Sequence, residues 1–218
     1  MKTKAKKVTY PGNTKSYHGK TVTRLQYLDV ELDQSVNILN SFPKLFDHIK
    51  NNKQVLSRIL EIGSSRGGLT FTISELYGEP IDTVSYDINH SRVVMKNKYP
   101  ELCKTNKIDF RGGNCFDPIV TDVIKKFIQQ PGLSLVLCDG GDKHKEFNTF
   151  APIIKDSDII MLHDYADTRE DFKLLDAENV WFWHEASYAG ISKTVEEYNL
   201  TRILRDDFIT SVWGVFQK

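Results

Sequence analysis

The chain has few cysteines, no long apolar run and no excess charge, and each lack closes off a class of protein. Three cysteines in 218 residues, Cys103, Cys115 and Cys138, are scattered and odd in number, which argues against a disulfide framework. No stretch approaches the apolar length of a membrane span, and the amino-terminal residues lack the apolar core of a secretory signal. The expectations are no membrane partner and a cytoplasmic location. Lys plus Arg and Asp plus Glu both number 29, so no overall pull towards nucleic acid arises. Repeats, low-complexity tracts and a second domain are also missing, and the length suits one α/β domain.

What is present begins with residues 1–20, where Lys2, Lys4, Lys6, Lys7, Lys15 and Lys20 accompany Pro11, Gly12 and Gly19 with few apolar anchors. This reads as a basic, mobile arm ahead of a domain over residues 21–218. Val36, Ile38, Leu39, Phe42, Leu45, Phe46 and Ile49 then recur at helical spacing, with Pro43 as a site for a kink. This is the expected amino-terminal helical cap.

The organising stretch is Arg58 to Thr70. Ile59 to Ile62 is an apolar run of strand length, Gly63 supplies a turn, and Gly67 and Gly68 open a segment with Leu69, Ile73, Leu76 and Tyr77 on one helix face. Strand, glycine turn and amphipathic helix form the first half of a nucleotide-type βαβ unit. The glycine spacing departs from G-x-G-x-x-G, and no Walker lysine follows. Glu61 at the strand end would repel a pyrophosphate and suits an ammonium group, as in S-adenosylmethionine. Asp87 ends a second strand, Asp82 to Asp87, where a carboxylate can accept from ribose hydroxyls or cap the helix that begins near Ser91. Further strands are expected at Lys107–Arg111, Leu133–Asp139 and Asp158–Asp164, and helices at Ser91–Tyr99, Pro118–Gln129 and Gly190–Tyr198. A closing pair of strands is expected at Thr201–Leu204 and Ser211–Phe216.

The pattern Glu61-x-Gly63-x-x-x-Gly67-Gly68 resembles the first motif of class I S-adenosylmethionine-dependent methyltransferases. Its fuller form, from Glu61 to Phe71, resembles the subgroup of cephalosporin hydroxylase-like proteins and macrolide or sugar O-methyltransferases. The resemblance implies an α/β fold with a doubly wound, mostly parallel seven-stranded sheet of Rossmann-like type. It implies S-adenosylmethionine held by Glu61, Gly63, Ser64, Ser65, Arg66, Gly67, Gly68, Asp87, Ile88, Asn114, Cys115 and Asp139. It further implies a divalent metal, Mg²⁺ or Mn²⁺, on Asp139, His163 and Asp164, although His163 stands where several relatives have a carboxylate. The alternative is that Asp139 orients substrate or cofactor and His163 is a packed or capping histidine.

The implied reaction is methyl transfer to a hydroxyl of a small molecule, sugar-like or natural-product-like. His144 is the leading general base, with Asp142 as the alternative because the loop after Asp139 is longer than in relatives, and Asp139 completes the catalytic set. Asp117 is a further candidate to read the adenine amino group. Arg66 suits either the cofactor carboxylate or an ion pair with Glu61 or Asp87. Trp181, Trp183 and Tyr188 suit either an acceptor wall or core packing. Two other readings are an RNA 2′-O-methyltransferase and a binding module on the same fold. The former would need a lysine where His163-Asp164 stands, and zero net charge opposes it.

Overall fold

The computed structural model describes residues 16–17, 20–21, 25–32, 34–177 and 184–218. Trp181 and Trp183, and most of the basic arm, lie outside the described residues.

A seven-stranded sheet carries the fold. Its strands are β1 (Leu56–Ile62), β2 (Asp82–Asp87), β3 (Ile108–Gly112), β4 (Leu133–Cys138), β5 (Ile159–Leu162), β6 (Thr201–Arg202) and β7 (Gly214–Gln217). Their order is β6-β7-β5-β4-β1-β2-β3. β1 to β5 run parallel, whereas β7 is antiparallel to β5, and β6 to β7. The chain leaves β1 towards β2 on one side and returns beyond β1 to lay β4 on the other. That reversal opens a crevice at the carboxyl ends of the strands, where ligands bind in doubly wound sheets.

The helices are α1 (Ile38–Asn51), α2 (Gly68–Tyr77), α3 (Val94–Lys98), α4 (Pro100–Thr105), α5 (Pro118–Ile128), α6 (Lys143–Phe150), α7 (Arg169–Ala177), α8 (Ser192–Glu197) and α9 (Arg205–Phe208). Helices on both faces explain why the central strands read as near-continuous apolar runs. On one face, Leu60, Ile62, Val136, Ile160 and Leu162 meet Ile124 and Ile128 of α5 and Phe147 and Phe150 of α6. On the other, Ile59, Leu135, Leu137 and Met161 meet Phe42, Leu45 and Phe46 of α1 and Leu69 and Ile73 of α2. The amino-terminal helix thus caps a sheet face.

The expected helix Ser91–Tyr99 is two pieces. A 3₁₀ turn, His90–Arg92, precedes α3, and Pro100 opens α4 at its first position instead of ending the run in a loop. Proline lacks only an N–H that a first helical turn leaves unbonded anyway. The closing strands are shorter than expected, because the chain between β6 and β7 folds into α9 and a 3₁₀ turn, Ile209–Ser211. Among the described residues, no helix is long and apolar enough to cross a membrane.

Candidate active site

The turn after β1 is shaped by backbone necessity. Gly63 has φ +97°, and a Cβ there would lie 2.7 Å from Gly140 Cα. Only glycine lets the β1 and β4 ends approach this closely. Gly63 and Ser64 donate their N–H groups to Tyr86 O at 2.8 and 3.1 Å, which turns the chain over the end of β2. Gly67 has φ +84° and starts α2, while a Cβ on Gly68 would lie 2.9 Å from Glu31 O. These two glycines serve helix geometry and the close approach of the Leu25–Tyr27 and Val30–Leu32 hairpin.

A cavity of about 500 Å³ lies at the carboxyl ends of β1, β2, β3 and β4. Gly63 and Ser65 line it from the first turn, Asp87 and Ile88 from the second, and Gly113 to Phe116 from the third. Asp139 to Asp142 and Glu146 close the remaining side. Asp87 accepts from Ser65 N on one oxygen and from Asn89 N on the other, both at 2.7 Å. A carboxylate has about four acceptor positions, so each oxygen keeps capacity for a ligand hydroxyl. Ile88 is 78% exposed beside Asp87, an apolar surface with no protein cover. Cys115 is buried, and desolvation pushes its thiol up to about 12, so it presents neutral sulfur and backbone here.

Several predicted residues stand elsewhere. Glu61 is fully buried under α2, where Thr70 and Ser85 both donate to its Oε2. The cause is register: Glu61 pairs with Ser85 across parallel β1 and β2, and the period of two points both at the α2 face. Glu61 therefore does not line the cavity. Burial, against the Ser85 and Thr70 hydrogen bonds and with the charges of Asp139 and Asp87, pushes its carboxyl up to about 8. Ser64 is buried with its hydroxyl 2.5 Å from that of Ser85. Arg66 pairs with Glu31 at 3.1 Å, and neither Glu61 nor Asp87 is its partner. Asp117 caps α5 by accepting from Ile119 N at 2.9 Å and is not among the residues that line the cavity. His144 is turned away from the cavity: its Nε2 accepts from Ser187 N at 2.9 Å, below the Tyr188–Gly190 turn. Asp142 does line the cavity, and it caps α6 by accepting from Lys145 N at 3.0 Å.

Next to the cavity, the ends of β4 and β5 assemble a polar cluster around Asp139. His163 Nδ1 lies 2.8 Å from Asp139 Oδ1 and 3.5 Å from Asp164 Oδ1. Gln34, just before α1, donates to Asp139 Oδ2 at 2.7 Å and accepts from Trp213 Nε1 at 3.0 Å. Lys143 is buried, with Nζ 3.0 Å from Asp164 Oδ2, 3.0 Å from Gly140 O and 2.5 Å from Glu185 Oε2. Burial raises the Asp139 carboxyl even against the pull of His163 and Lys143. Burial works against a charged His163, but Asp164 and Asp139 outweigh it and raise the imidazole. Lys143 is also desolvated, yet Asp164 and Asp139 hold its ammonium above the usual range. Glu146 accepts from Gly140 N at 3.0 Å and Asp142 N at 3.3 Å, and burial pushes it up to about 7.

Asp139, His163 and Asp164 each offer a donor atom, and these lie within 4.8 Å of one another, so the predicted ligand trio is brought together. Its hydrogen bonding nevertheless tells against a divalent ion. Asp139 accepts from Gln34 on one oxygen, His163 Nδ1 lies 2.8 Å from the other, and Asp164 already holds the Lys143 ammonium. Each Asp139 oxygen keeps a further lone pair, so what opposes Mg²⁺, which binds oxygen at about 2.0–2.1 Å, is the ammonium already seated on Asp164. An ammonium about 4 Å from a cation opposes it by about 4 kcal/mol per pair of unit charges at a dielectric near 20. With the Lys143 ammonium on Asp164, the trio does not fit Mg²⁺ or Mn²⁺.

Gln34, Lys143, Glu146, Glu185 and Trp213 were not foreseen. Only Glu146 carried a signal, a carboxylate one turn after the helix-capping Asp142.

Parallel strands, a switch between β4 and β1 and a crevice over it define a Rossmann-like protein with a ligand site at the strand ends. Solved proteins described as methyltransferases share this fold. A protein from Nostoc punctiforme PCC 73102, described as an O-methyltransferase, aligns with TM-score 0.51 at 12% identity, over 82% of this chain and 55% of its own. The S-adenosylmethionine-dependent methyltransferase SibL, in its apo form, aligns with TM-score 0.51 at 12% identity, over 81% of this chain and 53% of its own. A Staphylococcus aureus protein described as a caffeoyl-CoA O-methyltransferase aligns with TM-score 0.48 at 12% identity, over 82% of this chain and 83% of its own. The chain thus spans just over half the length of the first two. No protein-family model matches the chain, and no curated protein matches it.

Proposed function

We propose that the protein is an S-adenosylmethionine-dependent methyltransferase acting on a hydroxyl of a small molecule. The observation that carries this reading is the cavity's polarity: Asp87 and bare Ile88 at one end, and Asp139 with its imidazole at the other. The methyltransferase descriptions of the two solved proteins sharing the fold support it.

S-adenosylmethionine, when bound, supplies an electrophilic methyl on a sulfonium. Asp87 would accept from its ribose hydroxyls, and Ile88 and Phe116 offer apolar surface to its base. Asn114 and Cys115 offer backbone groups to the same base, and Ser65 stands at the first turn. Asp139 would hold the amino-acid end or the acceptor, and of the three base candidates only Asp139 and Asp142 line the cavity. Asp139 is the stronger. Burial raises its carboxyl, and His163 and Gln34 orient its two oxygens while each keeps a lone pair, the conditions for a general base worth roughly 10²–10⁴ in rate. The proton path proposed here runs from the acceptor hydroxyl to Asp139 and needs no divalent cation.

Titration calorimetry with S-adenosylmethionine and S-adenosylhomocysteine is the test. Saturable binding of both at one site per chain is expected, followed by release of S-adenosylhomocysteine with a panel of small hydroxylated acceptors. Absence of binding in folded protein would end the reading.

A further inference from the structure

We propose that the ammonium of Lys143 is the resident cation of the Asp139–His163–Asp164 cluster, taking the place that a divalent metal would otherwise fill. Four anionic or hydrogen-bonding groups argue for it. Asp164, Glu185 and the Gly140 carbonyl receive Nζ at 3.0, 2.5 and 3.0 Å. An ammonium has three N–H groups, and these three acceptors match them. The fourth group, Asp139, sits in the same field without touching Nζ and adds to the attraction.

The fold is built to deliver this lysine. Asp142 caps α6 and places Lys143 at its first position, with the side chain running inward. Asp164 has φ +52°, a left-handed backbone that lets its carbonyl accept from Glu185 N and Ala186 N at 3.1 and 3.0 Å. The two-residue parallel ladder of Tyr165–Ala166 with Ala186–Ser187 continues that pairing and holds Glu185 beside Nζ. A lysine serving only as surface decoration needs none of this.

Lys143 does not line the cavity, since its three donors point at the protein. It is a positioning residue. Its charge lets two carboxylates stay close to each other at β4 and β5 while Asp139 keeps both oxygens turned towards His163 and Gln34.

The inference rests on the cluster bordering the proposed cofactor cavity, but its test reads metal binding and is independent of turnover. Protein dialysed against chelator would be titrated with Mn²⁺ and followed by electron paramagnetic resonance of the free ion, with S-adenosylmethionine affinity measured alongside in chelator. Wild type is expected to take up no stoichiometric Mn²⁺. Lys143→Met is expected to bind about one per chain, and Asp164→Asn added to it should abolish that binding. Because loss of a buried cation can unfold the chain, the charge-balanced double variant Lys143→Met with Glu185→Gln serves as a second vehicle, with circular dichroism to establish folding. Stoichiometric Mn²⁺ on wild type that Asp164→Asn removes would overturn the proposal, and so would a folded Lys143→Met variant that stays metal-free. Failure of S-adenosylmethionine to bind any variant, with the Mn²⁺ pattern as expected, would count against the cofactor reading and leave this one standing.

Discussion

At the scale of single residues, two carboxylates with similar sequence positions behave differently because their surroundings differ. Asp87 stands at the open end of β2 with both oxygens already aligned by backbone N–H groups. Asp87→Ala removes charge-assisted hydrogen bonds worth about 1.5–3 kcal/mol each, so S-adenosylmethionine affinity should fall at least about tenfold. The melting temperature without ligand should fall by only a few degrees, since Ser65 N and Asn89 N lose their acceptor at a solvent-accessible strand end. Calorimetry and a thermal melt check both. Glu61 points under α2 instead, buried and raised to about 8 from an ordinary 4.5. The unfolded chain ionises it near 4.5, whereas the folded chain keeps the proton, so folding takes up a proton between these values. Its contribution is full below about 4.5 and is lost as pH rises through about 8. Glu61→Gln should therefore flatten the fall in stability across that window. Denaturant midpoints at intervals from pH 5 to 9 would show it, and parallel curves for variant and wild type would refute the assignment.

At the scale of elements, the glycine turn after β1 separates conformational strain from close approach. Gly63 and Gly78 have nearly the same backbone, φ +97° and +87°, but a Cβ at Gly78 meets nothing within 4 Å. Gly78→Ala should cost about 1 kcal/mol from the left-handed backbone alone and leave ligand binding untouched. Gly63→Ala adds a collision with the Asp139–Gly140 backbone, so it should cost more than twice that and disturb the cavity as well. Chemical denaturation with calorimetry on the pair distinguishes the two terms. The strand and helix signals around this turn were legible because they are local: an apolar run, a glycine, then a helical period. That Pro100 opens a further helix was not legible, because the same residue can end one helix or open the next. Which it does depends on whether Cys103 and its neighbours find a core to enter, and here Cys103 packs with Met95, Ile108 and Phe110.

At the scale of the whole molecule, stability and site lie on different parts of one sheet. Phe42 is fully buried between the sheet and α9, with edge contacts to Phe208 and Trp213 at ring separations of 5.6 and 6.0 Å. Phe42→Ala should cost about 3–5 kcal/mol, while S-adenosylmethionine affinity measured well below the melting temperature changes little. A large loss of affinity would show that the face under α1 is coupled to the strand ends. The sequence by itself determined the sheet's central strands and the glycine turn, and set Asp87, Asp139, His163 and Asp164 at strand ends, because each of these is written in a few neighbouring residues. It could not determine what those groups meet. Glu61 was turned inward by pairing with Ser85, His144 was taken by Ser187, and Arg66 by Glu31. Gln34 and Trp213 joined Asp139 from opposite ends of the chain, and Lys143 met Glu185 across a distant ladder. Such contacts are set by sheet order and strand register, which local spacing does not encode, and they decide which charge faces the cavity and which one balances it.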